Sequence, residues 1–268
     1  MTPNAPPPGD PPRPSPISRN VEKFIFPRWA NYILPLLVLG AIGGGMYAPA
    51  AVYLGLNPDN LNLNYRPQQP IPYSHATHVG QLGMDCTFCH TTVNHAAFAA
   101  IPPSQTCVAC HGNEPGASFA IKPNSAKLAP LYESIATGDP IEWIKVHDIA
   151  DYAYFNHAAH TTKGVGCVTC HGRVDQMGEE GVYQVQNLSM SWCIECHRQP
   201  EKYLRPADEV TNMTWSPFDE PEVQQAVAAG EIAEGDEQAA QLYIGEKIKA
   251  HMQINNKYYM QACSTCHR

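Results

Sequence analysis

Basic side chains are scarce in this 268-residue chain, with 17 Lys and Arg against 25 Asp and Glu, a formal net charge of −8. A protein that neutralises a phosphate backbone needs the opposite balance, so no nucleic acid partner is expected. Charge is missing altogether from Trp29 to Pro58. Apolar residues are nearly missing from residues 1–18, where eight prolines stand instead. No cysteine is spare: all ten fall in five Cys-x-x-Cys-His runs, so none is left for a disulfide framework. The histidine pairs described below have no nucleophile beside them, which excludes triad-type catalysis.

The five runs are Cys86/Cys89/His90, Cys107/Cys110/His111, Cys167/Cys170/His171, Cys193/Cys196/His197 and Cys263/Cys266/His267. This order of residues reads as c-type haem attachment. Two thiols three positions apart reach the two porphyrin vinyl groups, and the adjacent imidazole arrives beneath the iron. A zinc reading would pair two Cys-x-x-Cys units per ion, leave one unit over, and give the following histidine no role. Five haems are therefore expected, with His90, His111, His171, His197 and His267 as proximal ligands. About 200 residues must wrap five macrocycles, so much of the core is porphyrin. The expected fold is mostly irregular with short α-helices, preceded by a single N-terminal transmembrane helix.

That helix is expected over Asn31–Leu54, long enough to cross a bilayer. Arg13, Arg19, Lys23 and Arg28 precede it against Asp10 and Glu22, which places the N-terminus in the cytoplasm and the haem region outside it. Ala48-Pro49-Ala50 offers a signal-peptidase reading, but the basic region before the apolar core is long for a signal peptide. Pro35 is expected to kink the helix. Gly40 and Gly44 make a G-x-x-x-G that permits close helix approach or marks loose local structure. The proline-rich residues before it are expected to be disordered or polyproline-like.

Two segments repeat. Tyr73-Ser-His75-Ala-Thr-His78 precedes Cys86, and Phe155-Asn-His157-Ala-Ala-His160 precedes Cys167, each followed by two haem motifs. The chain therefore divides into a tail (1–28), an anchor (29–55), a first two-haem module (56–140), a second (141–206), and an acidic helical segment with the fifth haem (207–268). On a helix, side chains at i and i+3 diverge by about 60 degrees, so His75 and His78, or His157 and His160, each address a different iron. These four are the main distal-ligand candidates. His147 reads either as a fifth distal ligand or as a hydrogen-bonding partner of a propionate. Met190, next to Trp192 and Cys193, is a ligand candidate or ordinary packing; a Met/His haem would have a higher potential than bis-His neighbours. His95 and His251 read as ordinary polar histidines. The acidic run Asp219–Glu246 reads as one or two solvated surface helices.

The aromatic-x-His-x-x-His units resemble the cytochrome c7 and c3 type. That resemblance implies His75 for the Cys86/Cys89 haem and His157 for the Cys167/Cys170 haem, with His78 and His160 serving other haems. A longer set of segments resembles the pentahaem cytochrome subunit of bacterial alternative complex III: Ile25-Phe26-Pro27-Arg28-Trp29-Ala30-Asn31, Phe155-Asn156-His157 through Cys170-His171-Gly172, Met190-Ser191-Trp192-Cys193, Cys196-His197-Arg198, Pro200-Glu201-Lys202-Tyr203-Leu204-Arg205-Pro206 and Cys263-Ser264-Thr265-Cys266-His267-Arg268. It implies an electron-transfer subunit of a quinol-oxidising respiratory or photosynthetic complex, set on the periplasmic face of the cell membrane. The implied partners are an iron–sulfur subunit related to molybdopterin oxidoreductases, polytopic quinone-binding membrane subunits, a monohaem cytochrome c subunit and a periplasmic electron carrier or oxidase. The alternatives are a stand-alone quinol dehydrogenase and a multihaem reductase with one open haem site.

Overall fold

The computed structural model describes Gly9 and residues 27–57, 62–112 and 121–267. The reading of residues 1–28 as a disordered tail lies outside the described residues apart from Gly9, Pro27 and Arg28, as do Ile25, Phe26 and Arg268. The chain divides into two units, residues 1–52 and 53–268.

The N-terminal unit is dominated by a helix over Ala30–Leu56. Its 27 residues extend about 40 Å at 1.5 Å per residue, and none of its side chains is buried. By length and composition it is able to cross a membrane. Pro35 and Pro49 lie inside it, each removing one backbone donor, yet the helix runs through both without a break. A Cβ placed on Gly40 or Gly44 meets nothing within 4 Å, so that face is open.

In the C-terminal unit the described residues form no strand, only one antiparallel bridge between Val165 and Leu204. Short helices are joined by long irregular runs, as expected where large apolar groups stand in for a side-chain core. Polar caps start several of the helices. Asp85 Oδ1 accepts from the Thr87 amide at 2.8 Å, Asn156 Oδ1 from that of Ala159 at 3.3 Å, and Ser189 Oγ from that of Trp192 at 3.3 Å. Each satisfies a donor that has no partner within its helix.

The acidic segment folds as two helices, Pro221–Ala228 and Glu237–His251. They are more than solvated surface, because their inner faces carry Val223, Ala226, Ala240, Ile244 and Ile248, which pack with Leu204 and Ile232 in one apolar cluster. Ala240, Ile244 and Ile248 recur every four residues, which sets them on one stripe. Gly245 lies on the same side: a Cβ there would stand 1.9 Å from the Glu201 carbonyl oxygen, so only glycine lets the helix rest on the 200–204 segment. Lys249 Nζ donates to Glu201 Oε2 at 2.8 Å across the same contact.

Candidate functional site

The first cysteine of each run opens or lies in a short helix: Cys86–Cys89, Ser104–His111, Cys167–His171, Met190–Arg198 and Cys263–Cys266. One helical turn therefore places both thiols of each run toward the same side. All ten thiols are free, and only Cys110 and Cys263 are exposed. Burial pushes the Cys170 thiol up to about 12 and that of Cys196 up to about 11, so these sulfurs are held neutral.

Interactions among the thiols show which of the five runs are neighbours. Cys107 is raised by burial and then by Cys89, joining the second run to the first. Cys86 and Cys167 act on each other, raising the former and lowering the latter, which places the first run beside the third. Burial and then Cys196 and Cys193 raise Cys170, joining the third to the fourth. Cys193 is raised by burial and then by Cys266, joining the fourth to the fifth. The runs thus adjoin pairwise, second to first, first to third, third to fourth and fourth to fifth. The two exposed thiols belong to the second and the fifth.

The imidazoles are oriented by backbone carbonyls. Nδ1 lies 2.9 Å from the Ala100 oxygen in His90, 2.8 Å from Ile121 in His111, 3.0 Å from Met260 in His197 and 2.9 Å from Tyr152 in His267. Among the paired histidines, His78 bonds Ser74 at 2.8 Å, His157 bonds Ala97 at 2.8 Å and His160 bonds Asn156 at 2.7 Å. A carbonyl oxygen only accepts, so in all seven rings the proton sits on Nδ1 and the Nε2 lone pair is free. That is the tautomer a metal-ligating histidine adopts.

The rings also face one another. Two imidazoles that bind one ion from opposite sides through Nε2, at the usual metal–nitrogen length of about 2.0–2.1 Å, have centroids about 6.4 Å apart. His78 and His111 stand 6.1 Å apart, His157 and His171 6.5 Å, and His160 and His197 6.1 Å. The spacing fits an iron between each pair, and in five of the six rings so does the tautomer. His75 is half-buried near His90; loss of solvent and then the His90 ring hold it down to about 4. The duplication extends to the ring packing. Tyr73 is edge-on to His75 at 4.8 Å and stacked on His78 at 4.4 Å. Phe155 is edge-on to His157 at 4.7 Å and stacked on His160 at 4.5 Å. Locally the repeats differ, since a π-helical turn over Ala76–Gln81 follows His75 while His157 opens the α-helix His157–Thr161.

His171 lies at the centre of an imidazole cluster. Burial, then His147, His157, His90 and His75, push it down to about 3. His147 packs edge-on against it at 4.4 Å, too close to share an ion across from it, and its Nε2 is buried without a partner. Among the described residues no second imidazole pairs with His267, whose ring neighbour is Tyr152 at 5.9 Å. Met190 is 64 % exposed, one helical turn before Cys193 and so on the side that meets Cys266.

Sequence reasoning missed the carbonyls of Ala97, Ala100, Ile121, Tyr152 and Met260. They belong to the backbone of loops and helix ends and leave no side-chain signature. The loop after the first run orients both His90 and His157, and its Val93 oxygen accepts from Thr161 Oγ1 at 3.1 Å, so it ties the two repeats together.

Residues 153–228 match the family model of cytochrome c7 and related cytochrome c. That stretch contains the second histidine pair and the third and fourth runs. The chain is also similar to the menaquinone reductase multihaem cytochrome c subunit of Nitratidesulfovibrio vulgaris, with 33 % identity over 104 residues, 39 % of this chain. It spans 46 % of that relative's length. The chain therefore carries a cytochrome c7-type multihaem domain, and its cofactor is c-type haem.

Proposed function

We propose that this chain is a membrane-anchored pentahaem cytochrome c, the electron-transfer subunit of a quinol-oxidising complex of the alternative complex III type. The observation that carries the reading is the set of three imidazole pairs 6.1–6.5 Å apart, with Nδ1 tied to a carbonyl in five of the six rings. Haem, when bound, supplies one-electron iron chemistry; the protein supplies ligands, orientation and dielectric.

In this assignment His75 and His90 serve the first haem, His78 and His111 the second, His157 and His171 the third, and His160 and His197 the fourth. His267 and Met190 serve the fifth. The Ala30–Leu56 helix is the anchor, with the N-terminus cytoplasmic and the haems outside. Two ligands on each iron leave no open position for substrate, which favours a conduit over a reductase. The relative is a menaquinone reductase subunit, which supports placing this chain in a quinone-linked complex. The resemblance to alternative complex III supplies the proposed partner set: quinone-binding membrane subunits, an iron–sulfur subunit, a monohaem cytochrome and a periplasmic carrier. Purification of the full-length protein in mild detergent, followed by pyridine haemochrome analysis, is expected to give five covalent haems per chain together with those partners. A single subunit that oxidises quinol alone, or fewer than five haems, overturns the reading.

A further inference from the structure

Arg205 is a buried cation without a protein counter-ion. It is 8 % exposed, and its Nε is buried with no hydrogen-bond partner. Nη1 donates to the Asn212 oxygen at 2.8 Å, and the guanidinium carbon lies 4.9 Å from the Trp215 ring centroid. Among the described residues no carboxylate forms an ion pair with it, whereas Arg173 makes two bonds to Asp175, at 2.8 and 2.6 Å. Taking a charge out of water without a partner is expensive, so such a group is retained only where its charge is used or is offset by something bound.

Its position gives the charge a use. A Cβ on Gly166 would stand 2.4 Å from Arg205 Nε, so the guanidinium rests on the residue immediately before Cys167. The Cys167 amide donates to the Val210 oxygen at 2.9 Å. Thr211 Oγ1 donates to Asp85 Oδ2 at 2.8 Å, one residue before Cys86. The 205–212 segment thus touches the start of both the first and the third runs. Reduction of a ferric haem removes one positive charge, so a nearby unneutralised cation favours the reduced state.

We propose that Arg205 is the residue that raises the midpoint potential at the junction of the first and third attachment sites, acting by charge from beside Cys167. This rests on the haem assignment above. It makes Arg205 a positioning residue for electrons rather than a ligand. Glu209, the carboxylate that Arg205 senses electrostatically, partly offsets it.

The test is a visible redox titration of the full-length, haem-loaded protein with its partners. Arg205→Gln is expected to lower one or two of the five midpoints by threefold or more in the reduced-to-oxidised ratio, about 28 mV for a one-electron couple. Arg205→Lys keeps the charge and is expected to stay near wild type, and Glu209→Gln is expected to move the same components upward. Unmoved midpoints in haem-replete Arg205→Gln, or equal falls in the Gln and Lys variants, overturn the proposal. Should Arg205→Gln fail to mature, Glu209→Gln decides: a rise supports the proposal and an unmoved set overturns it. A wild-type protein without covalent haem overturns the functional reading and this one together, while a haem-replete Arg205→Gln with unmoved midpoints overturns only this one.

Discussion

The two histidine repeats predict different outcomes for what looks like the same substitution. His160 faces His197 at 6.1 Å, and no other imidazole pairs with His197 among the described residues. Replacing His160 with alanine therefore empties one coordination position with nothing nearby to refill it. His157 faces His171 at 6.5 Å, but His147 already packs against His171 at 4.4 Å with a free buried Nε2. To bind across an iron from His171, its ring has to recede by about 2 Å, from 4.4 Å to the roughly 6.4 Å that two metal–nitrogen bonds require. Two hydrogen bonds tie the backbone at Ile144 to Gln69, so the shift falls to the His147 side chain and the residues after Ile144.

Carbon monoxide binding to the dithionite-reduced, full-length protein reads the difference. His160→Ala is expected to bind one carbon monoxide per five haems, His157→Ala to bind much less than one, and the His147→Ala/His157→Ala double variant to recover one. Burial and the neighbouring His157 ring hold His147 down to about 4, so near pH 7 it is neutral and its lone pair is available. Equal carbon monoxide binding by His157→Ala and His160→Ala would refute the rescue. No binding by either would refute the pairing itself.

Two further outcomes follow from single contacts. With Met190 as sixth ligand of the fifth haem, Met190→His is expected to lower the highest midpoint and remove the methionine-to-iron absorption band while leaving five haems per chain; an unchanged band rules Met190 out. Lys249→Met leaves the Glu201 carboxylate, in an 8 % exposed residue, without its cation, and costs about 1–2 kcal/mol after discounting for the solvent that reaches Lys249. Glu201 raises the Lys249 pKa above its ordinary 10.5. From neutral pH up to 10.5 the pair's contribution is therefore full, and it is lost as pH climbs through the raised value, so the stability gap to the variant, measured by urea unfolding, is expected to hold constant over that range and to shrink above it.

How much of this site was legible depends on the range of each interaction. The cysteine runs and aromatic-x-His-x-x-His units are local patterns, as is the uncharged stretch that folds as Ala30–Leu56. His78 facing His111, and His160 facing His197, depend on the chain returning over 33 and 37 residues, and no local periodicity encodes that return. The same holds for the neighbours among the attachment sites, where Cys86 is the thiol that lies beside Cys167 and Cys107 lies beside Cys89.

The acidic segment forms the two surface helices its charges suggest, but its inner face was not legible, for a related reason. Its charges mark the solvent side, whereas what it does in the fold is set by Ala240, Ile244 and Ile248 and by Gly245 resting on Glu201, four sparse positions in a charged background. Those positions brace the 200–205 segment, Leu204 packs in the cluster they form, and Arg205 follows it directly against Gly166. A charge-rich helix pair far from any ligand in sequence thus fixes where the one buried unpaired guanidinium among the described residues stands relative to Cys167.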